Sequence, residues 1–503
     1  MNRQNDSSLV PANAKEEVRR RTKIVATLGP STDDPAVLEQ LIVAGADVFR
    51  INFSHGNQAD QAARVETVRK VAEKVGRHIG IMGDLQGPKI RIESFSSGRV
   101  ILAEGAEFTL DTAMDPAAGD RYGVGVAYRN LVKDVEPGDT LLLDDGLIVL
   151  AVESVEGTQI KTRVKLGGKL ADHKGLNKQG GGLSAPALTD KDRRDIETAA
   201  RLKLDFMSVS FARNAEDMEE ARSLLRAAGG TAHLVAKIER AEAVQNIRSI
   251  IDASDVIMVA RGDLAVEVGY ASMTGLQKGL IRLARSRNKV VITATQMLES
   301  MIHSPSPTRA EVSDVANAVM DGTDAVMLSA ETAVGKYPVR AVATMAELCV
   351  GAEKHETFRR AANYRLEDVF AHVDEAIAMA VMYVANHLNV RAIIALTESG
   401  STTLWMSRVR SDIPVFAFTR HETTRRRVSM YRGVYAVPFD VVHTDPGLIH
   451  ESVFETLLHD GAVSRGDLVL FTRGDQQGVA GRTNTMQILT VPAAPVPPPT
   501  PSG

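Results

Sequence analysis

The sequence predicts an α/β protein: a (β/α)8 TIM barrel, with a small all-β domain inserted in it and a second α/β domain after it. Three observations predict this. Short Val- and Ile-rich runs alternate with longer helical patterns, as in βαβ units feeding a parallel sheet. Eight such runs, about 25–40 residues apart, have the number and spacing of one strand plus one helix per barrel unit. A single block, residues 92–188, breaks the rhythm with short alternating segments rich in Gly, Thr, Val and charge.

The barrel runs are Lys23–Thr27, Val48–Phe53, Ile79–Leu85, Phe206–Phe211, Leu234–Glu239, Val256–Ala260, Val290–Thr295 and Ala325–Ser329. They place the barrel over residues 21–91 and 189–363. Each run stops in polar or charged residues, and barrels of this class build their sites at the C-terminal ends of the strands. Those ends supply Arg50, Asn52 and Ser54, then Asp84, Ser210, Lys237, Glu239, Asp263, Thr295, Ser329 and Glu331. In a strand, residues two apart face the same side, so Lys237 and Glu239 point to one place. An ion pair at a strand end would account for these two alone. With Asp263 arriving from the next strand, two hard oxygen ligands could hold Mg²⁺ while the ammonium meets substrate charge.

The block over residues 92–188 includes Thr140-Leu141-Leu142-Leu143-Asp144-Asp145-Gly146-Leu147-Ile148-Val149 and reads as a small β-barrel domain. Inserted after the third barrel strand, it would stand over the barrel mouth. It is then either a lid that excludes water during reaction or an inert insertion.

A new α/β domain is expected over residues 364–491, with strands at Ala392–Leu396, Val415–Phe418, Val434–Pro438, Leu468–Thr472 and Met486–Val491. Its first strand leads into Thr397-Glu398-Ser399-Gly400-Ser401-Thr402-Thr403. A hydroxyl-rich turn at a helix start suits an anion, and a cluster of capping residues reads the same way. Residues 1–20 are polar and read as a loose tail; residues 492–503 are Pro-rich and read as disordered.

At 503 residues, about three domains are expected. Hydrophobic content of 44% and charged content of 24% are ordinary for a soluble protein. A net charge of -4 gives no sign of a nucleic-acid or membrane-surface partner. Cys349 is the only cysteine, so no intrachain disulfide forms. The first residues lack the apolar core of a signal peptide. The longest apolar run, Ala376 to Ala385, falls short of the ~20 residues that cross a membrane and reads as a buried helix. Together these lead to the expectation of a cytoplasmic protein.

Several familiar chemistries have no motif here. There is no Walker loop, no Gly-x-Gly-x-x-Gly helix opening, no Cys/His zinc spacing and no Gly-x-Ser-x-Gly elbow. What remains is a metal-and-ammonium site with arginines. That set fits phosphoryl transfer, which needs positioning and charge more than covalent chemistry.

From about Arg21 to about Val491 the chain resembles the pyruvate kinase family. The motifs are Thr22-Lys23-Ile24-Val25-Ala26-Thr27-Leu28-Gly29-Pro30, Arg50-Ile51-Asn52-Phe53-Ser54-His55-Gly56 and Asp84-Leu85-Gln86-Gly87-Pro88-Lys89-Ile90-Arg91. Lys237-Ile238-Glu239-Arg240, Met258-Val259-Ala260-Arg261-Gly262-Asp263-Leu264 and Thr295-Gln296-Met297-Leu298-Glu299-Ser300-Met301 follow. The longest is Pro307-Thr308-Arg309-Ala310-Glu311-Val312-Ser313-Asp314-Val315-Ala316-Asn317-Ala318.

The resemblance implies phosphoryl transfer from phosphoenolpyruvate to ADP, giving pyruvate and ATP, usually by a homotetramer. It implies Mg²⁺ on Glu239 and Asp263, with Mn²⁺ as a substitute. Lys237 would stabilise the phosphoryl group in flight and Arg50 would bind it. Asn52, Ser54, His55 and Arg91 would lie near the nucleotide phosphates, joined by Lys174 on lid closure. Gly262, Asp263 and Thr295 would hold the substrate carboxylate. Thr295 and Ser329 would flank the water chain that protonates the enolate.

The chain departs from the family pattern in three places. Many members need K⁺ and carry Glu where Lys89 stands. The expectation is that the Lys89 ammonium replaces the ion among Asn52, Ser54, Asp84 and Leu85, so that K⁺ is not required, although Asn52, Ser54 and Asp84 would still suit a residual site. Ala265 stands where Gly is common, which is tolerable unless the position has positive φ. Ser401 stands where relatives often have Arg, leaving Thr397, Ser399, Gly400, Ser401, Thr402 and Thr403 to grip an effector phosphate, from AMP or a sugar phosphate. Two other readings compete: a lyase or mutase barrel with a Mg²⁺-binding acid pair, and a non-catalytic metabolite sensor.

Overall fold

The computed structural model describes residues 19–354, 369–476 and 478–493. The expected tails and the junction at residue 364 lie almost wholly outside them. Eight parallel strands close a barrel in chain order: Lys23–Thr27, Val48–Asn52, Gly80–Asp84, Phe206–Val209, His233–Ile238, Val256–Ala260, Val290–Ala294 and Ala325–Leu328. The eighth pairs with the first, Leu328 opposite Ala26. Strands covered on both faces read as continuous apolar runs, and Val256–Ala260 is buried at every position. Most runs read from sequence overshoot these strands by one or two residues, because their last residues leave the ladder to line the barrel mouth.

Helix termini in the barrel are set by local chemistry. In the motif that starts at Pro307, Thr308 Oγ1 accepts the Glu311 amide while the Glu311 carboxylate accepts the Thr308 amide. This reciprocal cap starts the helix Arg309–Asp321. Ala265 is helical within Arg261–Val268, so its methyl is accommodated without strain.

Between the third and fourth barrel strands the chain builds a six-stranded sheet and a two-stranded sheet. They have their own apolar core, which includes Phe108, Leu110, Leu141, Leu150 and Val164. After the barrel come the helix Val373–His387, which contains the expected buried segment, and a five-stranded sheet. Four of its strands are parallel and the last, Thr483–Thr490, is antiparallel to Leu468–Gly474.

This C-terminal unit docks on the floor of the barrel, opposite the strand ends that bear the charged residues. Val25, Met82, Val235 and Met258 share one apolar cluster with Met382, Ile393 and Met406. Polar ties reinforce it: Lys23 Nζ donates to the Val434 carbonyl at 2.6 Å, and Arg426 Nε to Asp205 at 2.8 Å. No helix among the described residues is long and apolar enough to cross a membrane.

Candidate active site

Parallel pairing sets Asn52 opposite Asp84 at neighbouring strand ends. Asp84, 1% exposed, is the hub of the mouth. Its Oδ2 accepts from Arg50 Nε at 2.7 Å, and its Oδ1 lies 3.5 Å from Lys237 Nζ. Lys237 Nζ also donates to Ser210 Oγ at 2.8 Å and lies 2.9 Å from Glu239 Oε1. The far oxygen of Glu239 accepts the Phe211 amide at 2.9 Å. Burial alone would lower the Lys237 ammonium, but Asp84 and Glu239 outweigh it and hold its pKa above the ordinary lysine value. Burial would likewise raise Asp84, yet Lys237 and Arg50 bring it below the usual carboxylate range. The Lys237 ammonium therefore stays charged where it is needed.

Glu239 is different. Burial raises its carboxyl, the neighbouring charge of Asp263 raises it further, and Lys237 only partly compensates. Two carboxylates close enough to feel each other, with hard oxygen donors, suit a divalent cation. Among the described residues no three His, Cys, Asp or Glu side chains form a preformed metal cluster. A cation held by this pair would complete its coordination with water and substrate.

Beside the pair, the Gly262 amide donates to Thr295 Oγ1 at 2.9 Å. Thr295 and Gln296 both have left-handed backbones, at φ 67° and 53°. That conformation is strained for a β-branched residue. It is held by Arg261, whose guanidinium donates to the carbonyls of Ala294 (3.2 Å), Thr295 (2.6 Å) and Gln296 (3.2 Å) while gripping Asp314 at 2.6 Å. Across the mouth the Ser329 amide donates to Glu331 at 2.7 Å, and Glu331 also accepts the Leu298 amide at 3.1 Å.

The remaining expected residues are placed less tightly. Asn52 Oδ1 accepts the Ser54 amide at 3.0 Å, and Ser54 and His55 are exposed. Arg91 donates to the His173 carbonyl at 2.8 Å, next to Lys174, but Lys174 pairs with Asp144 at 2.8 Å and stays within the insert. Lys89 lies 3.1 Å from Asp263 and makes no ion pair with Asp84. Leu85 is buried beside Asp84. Sequence reading missed Lys191, whose ammonium donates to the Phe53 carbonyl at 2.6 Å and so stands beside Asn52 and Ser54. Its one sequence signal is a place at the start of the first helix after the insert. Arg261 was legible only as a neighbour of Gly262 and Asp263.

In the C-terminal unit the hydroxyl loop divides. Gly400, at φ 86°, turns the chain, and its amide donates to Thr397 Oγ1 at 2.9 Å. Thr403 Oγ1 is buried and donates to the Gly400 carbonyl at 2.8 Å; Thr402 Oγ1 meets Thr483 Oγ1 at 2.8 Å. Ser399 and Ser401 bond to each other at 3.2 Å. A cavity beside the loop is lined by Thr397, Glu398, Thr402, Arg473 and Arg482, among others. The two arginines come from the last hairpin, far along the chain, and sequence reading did not assign them.

A barrel mouth that gathers an ammonium, a guanidinium, three carboxylates and a strained Thr defines a barrel enzyme that works on charged substrates by electrostatics. Comparison with known proteins makes the class specific. Residues 19–342 match the model of the pyruvate kinase barrel domain and residues 375–489 that of the pyruvate kinase alpha/beta domain. The chain is 55% identical to pyruvate kinase II of Salmonella typhimurium, over 94% of this chain and 99% of that protein. It is 50% identical to a pyruvate kinase of Haemophilus influenzae, with the same shares covered. With a pyruvate kinase of Sporosarcina psychrophila it shares 42% identity, over 93% of this chain and 80% of that protein. The chain belongs to the pyruvate kinase family. It is a phosphotransferase of glycolysis, acting between phosphoenolpyruvate and ADP to give pyruvate and ATP.

Proposed function

We propose that the work of this reaction is divided among the strand ends as follows. Lys237 neutralises the phosphoryl group as it leaves the enolate oxygen, with Arg50 holding it from the opposite side of Asp84. Glu239 and Asp263 would hold Mg²⁺, or Mn²⁺ in its place, which would supply positive charge to the reacting phosphoryl group. The Gly262 backbone and Thr295 receive the substrate carboxylate, and Thr295 with Ser329 orders the water that delivers a proton to C3. Asn52, Ser54, His55, Arg91 and Lys191 face the nucleotide, and the insert over residues 92–188 closes as a lid that carries Lys174 to it. The observation that supports this best is the Lys237 ammonium, kept charged between Asp84 and Glu239 beside the paired carboxylate Asp263. A coupled assay for ADP-dependent pyruvate formation tests it: turnover should vanish on chelation of the divalent ion and return with Mg²⁺ or Mn²⁺. ADP-independent consumption of phosphoenolpyruvate would favour a lyase or mutase instead.

The domain spanning residues 364–491 is proposed as the regulatory unit of a cytoplasmic homotetramer. The cavity beside Thr397, lined by Arg473 and Arg482 together with Glu398, suits a phosphate on a polar body such as AMP or a sugar phosphate. Titration of AMP, ribose 5-phosphate, glucose 6-phosphate and fructose 1,6-bisphosphate against the phosphoenolpyruvate saturation curve distinguishes these effectors. No K⁺ is required in this reading, because Lys89 supplies the fixed positive charge.

A further inference from the structure

Glu267 is a buried carboxylate that no step above uses. It lies in the helix Arg261–Val268, one turn after Asp263, and is 3% exposed. Its two oxygens reach different parts of the molecule. Oε2 accepts the Ala241 amide at 2.9 Å, just beyond Glu239. Oε1 accepts from Asn177 Nδ2 at 3.5 Å, a long bond to the insert strand Leu176–Lys178 that follows Lys174. The Glu267 carbonyl takes the Gly180 amide from the same segment at 3.0 Å. The seam continues alongside: Arg240 donates to the Leu183 carbonyl at 2.7 Å, and Glu242 accepts the Gly182 amide at 2.5 Å.

Packing does not require an acid here. A leucine or methionine would fill similar volume, whereas a buried carboxylate met only by neutral donors is costly. Burial pushes the Glu267 carboxyl up to about 7; Arg240 opposes this and Glu242 adds to it. The cavity at this seam also presents Lys89, Phe211 and Asn177. One side chain thus touches the returning leg of the insert and the turn that follows Lys237 and Glu239, from the helix that carries Asp263.

We propose that Glu267 is a positioning residue that couples the seating of the insert to the strand end bearing Lys237 and Glu239, so that Lys174 and Lys237 come into register together. This rests on the reading of the insert as a lid. The coupling should appear in nucleotide use and not in phosphoenolpyruvate binding, because the Gly262–Thr295 cradle lies outside the seam.

The test is steady-state kinetics of the intact protein with four variants. Asn177→Leu removes the donor, and Glu267→Met removes the acceptor. Each is expected to raise KM for ADP roughly 3–10-fold, the scale of one or two lost hydrogen bonds, and to lower kcat. KM for phosphoenolpyruvate should stay within about twofold. The double variant Glu267→Gln/Asn177→Asp restores a donor–acceptor pair with roles exchanged and should recover most of the loss. Equal shifts in both KM values, no shift in either, or failure of the double variant to recover would overturn the inference. Lys174→Met separates it from the lid reading. If that variant leaves KM for ADP unchanged, the lid reading fails; if it raises KM while Asn177→Leu and Glu267→Met do not, only the coupling fails.

Discussion

The Lys89 ammonium lies 3.1 Å from Oδ1 of Asp263, a residue 174 positions further along the chain. The pair is about three-quarters buried and stands at the barrel mouth. A positive charge therefore sits beside Asp263, and the proposal that Lys89 takes the place of K⁺ rests on this contact. Turnover should be the same in Tris or Na⁺ buffer with and without KCl, and many-fold activation by KCl would sink the idea. Lys89→Glu reverses this charge and should make turnover depend on KCl.

Lys237→Met removes the ammonium that Asp84 and Glu239 keep charged. Loss of one preorganised charge aimed at the transition state lowers rates by ~10²–10³ or more. Glu239 and Asp263 remain, so Mn²⁺ should still bind, as read by titration of the paramagnetic ion. Unchanged kcat in this variant would refute the role given to Lys237.

The pKa of Glu267, raised by burial to about 7 from 4.5, makes stability depend on pH. The folded protein holds this proton more tightly than the unfolded chain does. The stability contributed is full below about pH 4.5 and is lost as pH rises through about 7, up to about 3 kcal/mol. Denaturant midpoints compared between pH 5 and pH 8 should show a smaller decline in Glu267→Gln than in the parent chain. Parallel curves would show that this carboxyl titrates normally.

At the barrel floor, Arg408 donates through Nη1 to Oδ2 of Asp324 at 3.0 Å and contacts Oδ1 through Nη2. Asp324 is 0% exposed. Arg408→Met leaves that charge buried, a change that typically costs about 3–5 kcal/mol. The low end is expected, because Arg285, pushed down to about 9 by burial and by Arg408 itself, also interacts with Asp324. Urea unfolding checks this, and a midpoint unchanged from the parent would show that the clamp contributes nothing.

The strand ends were readable in sequence for a simple reason. Parallel strands covered on both faces leave long apolar runs, so an acid or a lysine at the end of one stands out. Val256–Ala260 followed by Arg261-Gly262-Asp263 shows this plainly. The reciprocal cap of Thr308 and Glu311 lies within four residues, yet the stretch was read only as part of a family motif and its capping role came from the structure. Lys191, Arg473 and Arg482 left no comparable trace. They are ordinary surface cations until folding sets them beside Phe53 or beside Thr397. In the hydroxyl loop, Thr402 and Thr403 make internal bonds that depend on Thr483 and on the turn at Gly400, which the sequence did not show.

The sequence by itself determined the barrel, the inserted sheet, the C-terminal unit and the identity of the acids and lysine at the mouth, because local periodicity and strand-end polarity are properties of short segments. Only the tertiary structure decided which of those charges meet: that Asp84 sits between Arg50 and Lys237, that Lys89 turns to Asp263, and that Glu267 bridges to Asn177. Each of these contacts joins segments far apart in the chain. Its length and direction are set by barrel closure and by the angle of the insert, which no short stretch of residues encodes.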